Sequence, residues 1–240
     1  MEANSSILRT KRSLVTNASF KVFIKYIVII LVSNLIHITM LQLNSHFMHS
    51  AIAKDIVGYV LLAIQPWISI LIVYIVYFDL RDSRIDSLSL LKLVFSCFNK
   101  WIIVGIIYSL IIVVSMLLFV IPAIIAAFYY SFIWQVFVFE KLKSKSVLDK
   151  SKKEVKEKLG DVMFYIVLNL ITTFVIISAL FFITYFNNDS LVASSIVSMV
   201  INLFSSYFTI LLTYVYLLCK NHVVYLDKED KFCLVKGYQI

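Results

Sequence analysis

Side chains able to do chemistry are sparse in this sequence and fall into three groups. His37, His46 and His49 lie close together, with Asp55 the nearest acid, and imidazoles are donors of the kind that hold zinc or copper. Without a fourth convergent ligand they do not complete such a site, so His46 and His49 read as solvated loop residues and no metal or cofactor is expected. The second group is neutral. Asn34, Gln65 and Gln135, with Asn169 and Asn202, each interrupt a run of apolar residues. An amide in hydrocarbon must hydrogen-bond across helices or face a hydrated path. Asn34, His37, Gln65 and Gln135 therefore form a candidate intramembrane polar patch, either a structural hydrogen-bonding set or the lining of a substrate path. The third group is charged. Lys150, Lys152, Lys153 and Lys156 crowd one segment as a candidate contact for the anionic inner leaflet or a partner. Glu140 ends an apolar run beside them, placed as a structural latch rather than a proton relay.

Catalysis finds no support in these groups. The sequence holds no nucleophile elbow, Walker loop, HExxH, CxxC pair or glycine-rich phosphate loop. The apolar runs also lack the facing ionisable groups that acid–base chemistry needs. A non-catalytic protein is expected. Nucleic-acid binding has nothing behind it beyond a pI of about 9.3, and the basic segments have a simpler explanation in membrane topology.

The elements that position these groups follow from composition. Of 240 residues, 61% are hydrophobic and only 15% are charged, with a mean hydropathy of +0.93. A water-soluble domain runs nearer half apolar and a quarter charged, so the excess faces lipid. A bilayer core of about 30 Å is crossed by about 20 apolar residues in a helix. Six runs qualify, at 22–43, 56–78, 101–121, 123–139, 162–186 and 195–219. Pro122 divides the third from the fourth, because their joint length is too great for one crossing, and Pro66 is expected to kink the second. All the lysines and arginines except Lys25 and Lys54 lie in 1–21, in the second and fourth connections, or in 220–240. The positive-inside rule then places those segments, and both termini, in the cytoplasm. Lys25 is expected to extend its ammonium to the inner headgroups. Cys97, Cys219 and Cys233 fall on or near that reducing side, so disulfides are not expected. The result is an all-α polytopic membrane protein, a single domain of six transmembrane helices arranged as three hairpins.

The cytoplasmic connections are patterned too. Ile85, Leu88, Leu91, Phe95 and Phe98 recur at steps of three and four, which describes a helix lying in the interface. In the fourth connection Leu148, Val155 and Leu159 form a narrow stripe among eight lysines and five acids, and Gly160 is placed to cap the helix before the fifth span. The tail SSILRTKRSLVTNASF has a similar layout. Each hairpin is thus preceded by a cytoplasmic amphipathic segment, a threefold repeat of surface helix and two spans.

The stretch from Ile121 to Ile171 resembles a pattern seen in bacterial six-helix membrane proteins, among them the membrane domain found with some glycerophosphoryl diester phosphodiesterases. The residues carrying the likeness are Pro122, Ile124, Trp134, Glu140, Val147, Leu148, Ser151 and Gly160. Ala123 stands where glycine is usual, and Asp161 replaces the common aromatic. The resemblance implies a fold and no activity, since a separate soluble barrel performs catalysis in the phosphodiesterases.

The function expected from the sequence is an accessory or protective role in the bacterial plasma membrane, such as immunity to or export of a membrane-active peptide of the bacteriocin type. Its partners would be membrane lipids and that peptide or a transport complex. A transporter or permease subunit for a small or lipidic substrate, or an anchor docking a soluble enzyme through the fourth connection, are the alternatives. A reporter fused after Ile240 is expected to face the cytoplasm and one inserted between Asn187 and Ser190 the exterior; paired enzymatic reporters at the two sites check this.

Overall fold

The computed structural model describes residues 12–47, 66–81, 86–140, 144–186, 191–221, 223–226 and 231–234. In chain order these form α1 (Arg12–Lys25), α2 (Ile27–Phe47), α3 (Pro66–Leu80), α4 (Ser87–Ser96), α5 (Phe98–Leu118), α6 (Val120–Tyr129), α7 (Ile133–Glu140), α8 (Ser144–Glu157), α9 (Leu159–Phe186) and α10 (Leu191–Cys219). A short antiparallel hairpin follows, β1 (Val223–Leu226) with β2 (Lys231–Leu234), pairing Val223 with Leu234 and Leu226 with Lys231.

Three stretches among the described residues are long and apolar enough to cross a bilayer: Phe98–Leu118, Ile121–Glu140 and Ser195–Cys219. The number rises to five if two bent pairs each count as one span, Ser13–Lys25 with Ile27–Met40 at 70° and Ser146–Glu157 with Val162–Ile176 at 102°. The chain is a helical membrane protein with three to five candidate spans.

Three helix junctions fall where polarity changes. α1 gives way to the apolar α2 across Tyr26, α4 to α5 across Cys97, and the lysine-rich α8 to the apolar α9 across Lys158. The backbone ladder bridges each junction. Ile30 N donates to Tyr26 O, Trp101 N to Cys97 O and Val162 N to Lys158 O, all at 3.1 Å. A surface helix, one turn residue and an apolar helix therefore occur three times, but only α4 and α8 are amphipathic. α1 carries apolar residues all round, with Val15 and Val22 buried and Phe20 and Ile24 exposed, and the amphipathic segment expected before the first hairpin is not found there.

The core forms around α3 and α10. α3 buries Trp67, Ile68, Leu80 and every residue from Ile70 to Tyr77, and it packs on α2, α4, α5, α7 and α10. α10 packs on α1, α2, α3 and α9. The peripheral faces are apolar and exposed, with Leu117 at 82%, Phe119 at 78% and Phe174 at 72%, as lipid-facing surface must be. α10 ends at Lys220 and Asn221. Asn221 takes the left-handed conformation at φ 57° that asparagine tolerates better than most residues, and this turns the chain into β1.

α4 buries Leu90 and Val94. Of the expected stripe Leu88 and Phe95 are exposed, Phe95 with its ring stacked 6.2 Å from that of Trp67, while Leu91 and Phe98 pack against the core. Three further expectations are corrected. α8 turns Val147, Leu148, Ser151, Glu154 and Val155 inward, whereas Leu159 is exposed in α9. A serine and a glutamate complete that inward face because they find polar partners there. Gly160 lies in the first turn of α9 with open space around it and caps nothing. The break between α5 and α6 falls at the extended Phe119, and Pro122 sits within the first turn of α6, where a missing N–H removes no helical bond. The kink expected at Pro66 involves residues outside those described.

Ile70→Ala, at a fully buried site of α3, is expected to lower stability by about 2 to 5 kcal/mol, and Leu117→Ala by less than about 1 kcal/mol. Reversible unfolding in mixed micelles measures both.

Candidate functional site

One face of α10 carries polar side chains along most of its length. Asn202, Ser206, Thr209, Thr213, Tyr216 and Lys220 follow one another at steps of four, three, four, three and four, a spacing that keeps them on one side of a helix. Ser206, Thr213 and Tyr216 are buried. The hydroxyls first satisfy themselves within the helix. Ser206 Oγ donates to Asn202 O at 2.8 Å, Thr209 Oγ1 to Ser205 O at 2.9 Å and Thr213 Oγ1 to Thr209 O at 2.7 Å. Their lone pairs remain for neighbouring helices.

Amides from two other helices use those lone pairs. Asn34 of α2 donates through Nδ2 to Ile30 O at 2.9 Å and to Ser206 Oγ at 3.2 Å. Gln135 of α7 donates through Nε2 to Thr213 Oγ1 at 3.3 Å, while its buried Oε1 has no hydrogen-bond partner among the described residues. Two members of the expected polar patch thus converge on α10. His37 is buried on the next turn of α2 beyond Asn34. Gln65, and with it the expected pairing of Asn34 with Gln65, lies outside the described residues, as do His49 and Asp55, while His46 falls in the last turn of α2 and not in the loop expected for it. Beside Asn34 a small cleft opens between α2, α3 and α10, lined by Ser69, Asn202, Ser205, Ser206 and Thr209 with Ile68 and Ile72. Its volume of about 20 Å³ has room for one water molecule.

The ladder ends in a charged junction. Glu140, the last residue of α7, accepts from Tyr216 Oη at 2.9 Å through Oε1, the oxygen that also lies 3.3 Å from Lys220 Nζ. Lys220 donates to Glu154 Oε1 at 2.5 Å, and Lys150 lies 3.3 Å from Glu154 and 3.8 Å from Glu140. Two acids and two lysines from α7, α8 and the end of α10 neutralise one another. Glu154 is nearly buried, with its side chain 8% exposed, a position a lone carboxylate would not tolerate. The aromatic rings of Phe132 and Phe139 pack against Tyr216 with centroids 5.3 and 5.9 Å away. α8 also grips the chain where α6 ends, since Ser151 Oγ donates to Tyr129 O at 3.2 Å.

Of the four lysines singled out in the sequence, Lys150 joins this junction. Lys152 lies over the Tyr129 ring at 5.8 Å, Lys153 pairs with Glu157 at 3.9 Å along α8, and Lys156 is exposed. Lys25 does not stand alone among headgroups as expected. It meets Asp79 of α3, which also accepts from Tyr26 Oη at 3.4 Å. An acid within reach at the α1–α2 bend explains the difference. Sequence reasoning missed Thr213, Tyr216, Lys220 and Glu154, and the alternating spacing in the sixth run was the available signal. Comparison with models of known families, with curated proteins and with solved structures finds no match to this chain.

Burial alone pushes the Lys220 ammonium down, but hydrogen bonds and charge attraction from Glu154 and Glu140 outweigh it, and the net shift is upward from 10.5. A lysine whose folded value exceeds its unfolded one stabilises fully at neutral pH and loses that contribution as pH climbs past the folded value. The junction's lysine term is therefore expected to hold from pH 7 to about 10 and to fall above about 10.5, with Lys220→Met removing that alkaline drop. Glu154→Ala, which leaves Lys150 and Lys220 to share Glu140 alone, is expected to cost about 2 kcal/mol, more than Glu157→Ala on the exposed face. Unfolding midpoints measured against pH for the three variants check both.

Proposed function

We propose that the protein is a non-catalytic component of the bacterial plasma membrane, with six spans in three hairpins and both termini cytoplasmic, that acts in an accessory or protective capacity through its lipid-facing and inner-leaflet surfaces. The observation that carries this reading is that most interior polar side chains of the described residues are engaged with one another, Gln135 Oε1 and Ser131 Oγ being exceptions. Asn34 meets Ser206, Gln135 meets Thr213, Lys25 meets Asp79, and Glu140 and Glu154 meet Lys150 and Lys220. The cleft beside Asn34, about 20 Å³ among the described residues, is too small for a metabolite. What the molecule offers to a partner is its outside: the exposed Leu88 and Phe95 of α4, the apolar flanks of α5 and α9, and Lys152, Lys153 and Lys156 on α8. In this orientation α1, α4 and α8 lie along the anionic inner leaflet, where each nearby lysine gains about 1 kcal/mol. A membrane-active peptide of the bacteriocin type would meet these surfaces from within the lipid.

Expression in a sensitive bacterial host is expected to raise the inhibitory concentration of at least one membrane-active peptide, with Lys152→Gln, Lys153→Gln and Lys156→Gln together weakening the effect. Unchanged sensitivity across a panel of such peptides, with the protein present in the membrane, contradicts the proposal. One observation favours the transport reading instead: the cleft between α2, α3 and α10 is the kind of polar break around which a permeation path is built.

A further inference from the structure

Two stretches of the molecule rise from α8 to different heights. Lys152, Lys153, Lys156 and Glu157 are exposed on α8, so this helix stays out of hydrocarbon and its axis marks the inner edge of the bilayer core. α9 leaves α8 across Lys158 and runs for 28 residues, about 42 Å and more than a crossing needs. The α5–α6 hairpin is tied to the same level. Ser151 of α8 donates to Tyr129 O at 3.2 Å, and the rings of Tyr130 and Trp134 lie 6.3 and 6.5 Å from that of Tyr108 on α5. From Tyr129 back to Phe119, at the turn, is only about 15 Å of helix. Allowing about 5 Å more for the radius of α8, the tip stands about 20 Å above the inner edge of a core about 30 Å thick.

The tip must nevertheless be wet. Residues 116–128 contain no polar side chain, and Leu117, Leu118, Phe119 and Ile121 are 62 to 82% exposed. Phe119 N donates to Ser115 O at 3.1 Å across the turn. The carbonyls of Met116, Leu117 and Leu118 and the N–H groups of Val120, Ile121 and Ala123 are helix-end groups, with no partner inside either helix. Irregular backbone facing lipid is not tolerated within hydrocarbon, and each dry group costs about ten times what an ångström of bilayer thinning does. Six such groups outweigh about 10 Å of thinning.

We propose that the α5–α6 hairpin thins the bilayer beside it, drawing the outer headgroups and their water down to Phe119. Its partner is the outer leaflet, met by a short apolar wall in place of a full-height one. The inference goes beyond the accessory role and rests on that reading only for the side of the membrane on which α8 lies.

Cysteine labelling of the full chain in sealed membranes tests it, with Cys97, Cys219 and Cys233 replaced by serine and a membrane-impermeant maleimide applied from either side. The unsubstituted chain serves as background should the cysteine-free one fail to fold. Three exposed positions carry the probe: Phe119 at the tip, Ile106 two residues before Tyr108, and Phe174 about 22 Å along α9 from Leu159. Phe119→Cys is expected to react from outside and Ile106→Cys from inside, although about 20 Å of helix separates them. Phe174→Cys, at the height of the tip but in unthinned lipid, is expected to react at least ten times more slowly from both sides. A Phe119→Cys that reacts from neither side would mean a tip dry in hydrocarbon, and overturns the proposal. So does an unreactive Ile106→Cys, which would move the inner edge down to Lys100 and let the hairpin cross an ordinary bilayer, and so does a Phe174→Cys as fast as Phe119→Cys. Reaction of Phe119→Cys from inside and Ile106→Cys from outside would reverse the orientation proposed above and leave the thinning in place.

Discussion

In hydrocarbon a polar group has no solvent to fall back on, and each one must find its partner inside the protein. That constraint organises the centre of this molecule. α10 brings a polar side chain to the same face turn after turn, and three helices meet it with a matching group: Asn34 from α2, Gln135 and Glu140 from α7, and Glu154 from α8. Single interhelical hydrogen bonds in membranes average only about 0.6 kcal/mol. The specificity lies in the penalty for misalignment, since a slip of one turn would strand several groups together.

The surface repeats one device three times. A surface helix gives way to a more apolar one across a single residue, at Tyr26, Cys97 and Lys158, and at two of these junctions an ion pair from a distant helix pins the geometry. Lys25 reaches Asp79 at the first corner. At the third, Glu154, one turn before Lys158, meets Lys220. α1 and α8 are thereby tied to the bundle by charge, whereas α4 is held by the buried Leu90 and Val94 and keeps Leu88 and Phe95 exposed.

Much of this architecture is legible in the sequence because hydropathy and helix length are local properties. The apolar runs that become α5 and α9, the surface helices α4 and α8, and the polar character of Asn34 and Gln135 can all be read residue by residue. Partners cannot. Nothing local pairs Glu154 with Lys220, 66 residues later, and the periodicity of α4 names an apolar stripe without saying whether lipid or protein covers it. Ser151 and Glu154 break the apolar stripe of α8, and only the carbonyl of Tyr129 and the ammonium of Lys220 explain why they turn inward. The face of α10 was readable, but its serines and threonines are individually mild, and only the alternation of threes and fours distinguishes them from background.

The register of α10 against α2 is the point on which the account turns, and disulfide trapping in native membranes measures it directly. With Cys97, Cys219 and Cys233 replaced by serine, Asn34→Cys combined with Ser206→Cys is predicted to cross-link readily within one chain, because the native side chains touch at 3.2 Å. Asn34→Cys combined with Phe204→Cys, whose native side chain is exposed, is predicted not to. Equal or faster cross-linking through position 204 would mean that the polar face of α10 does not point into the bundle, and the organising role given to it would be contradicted.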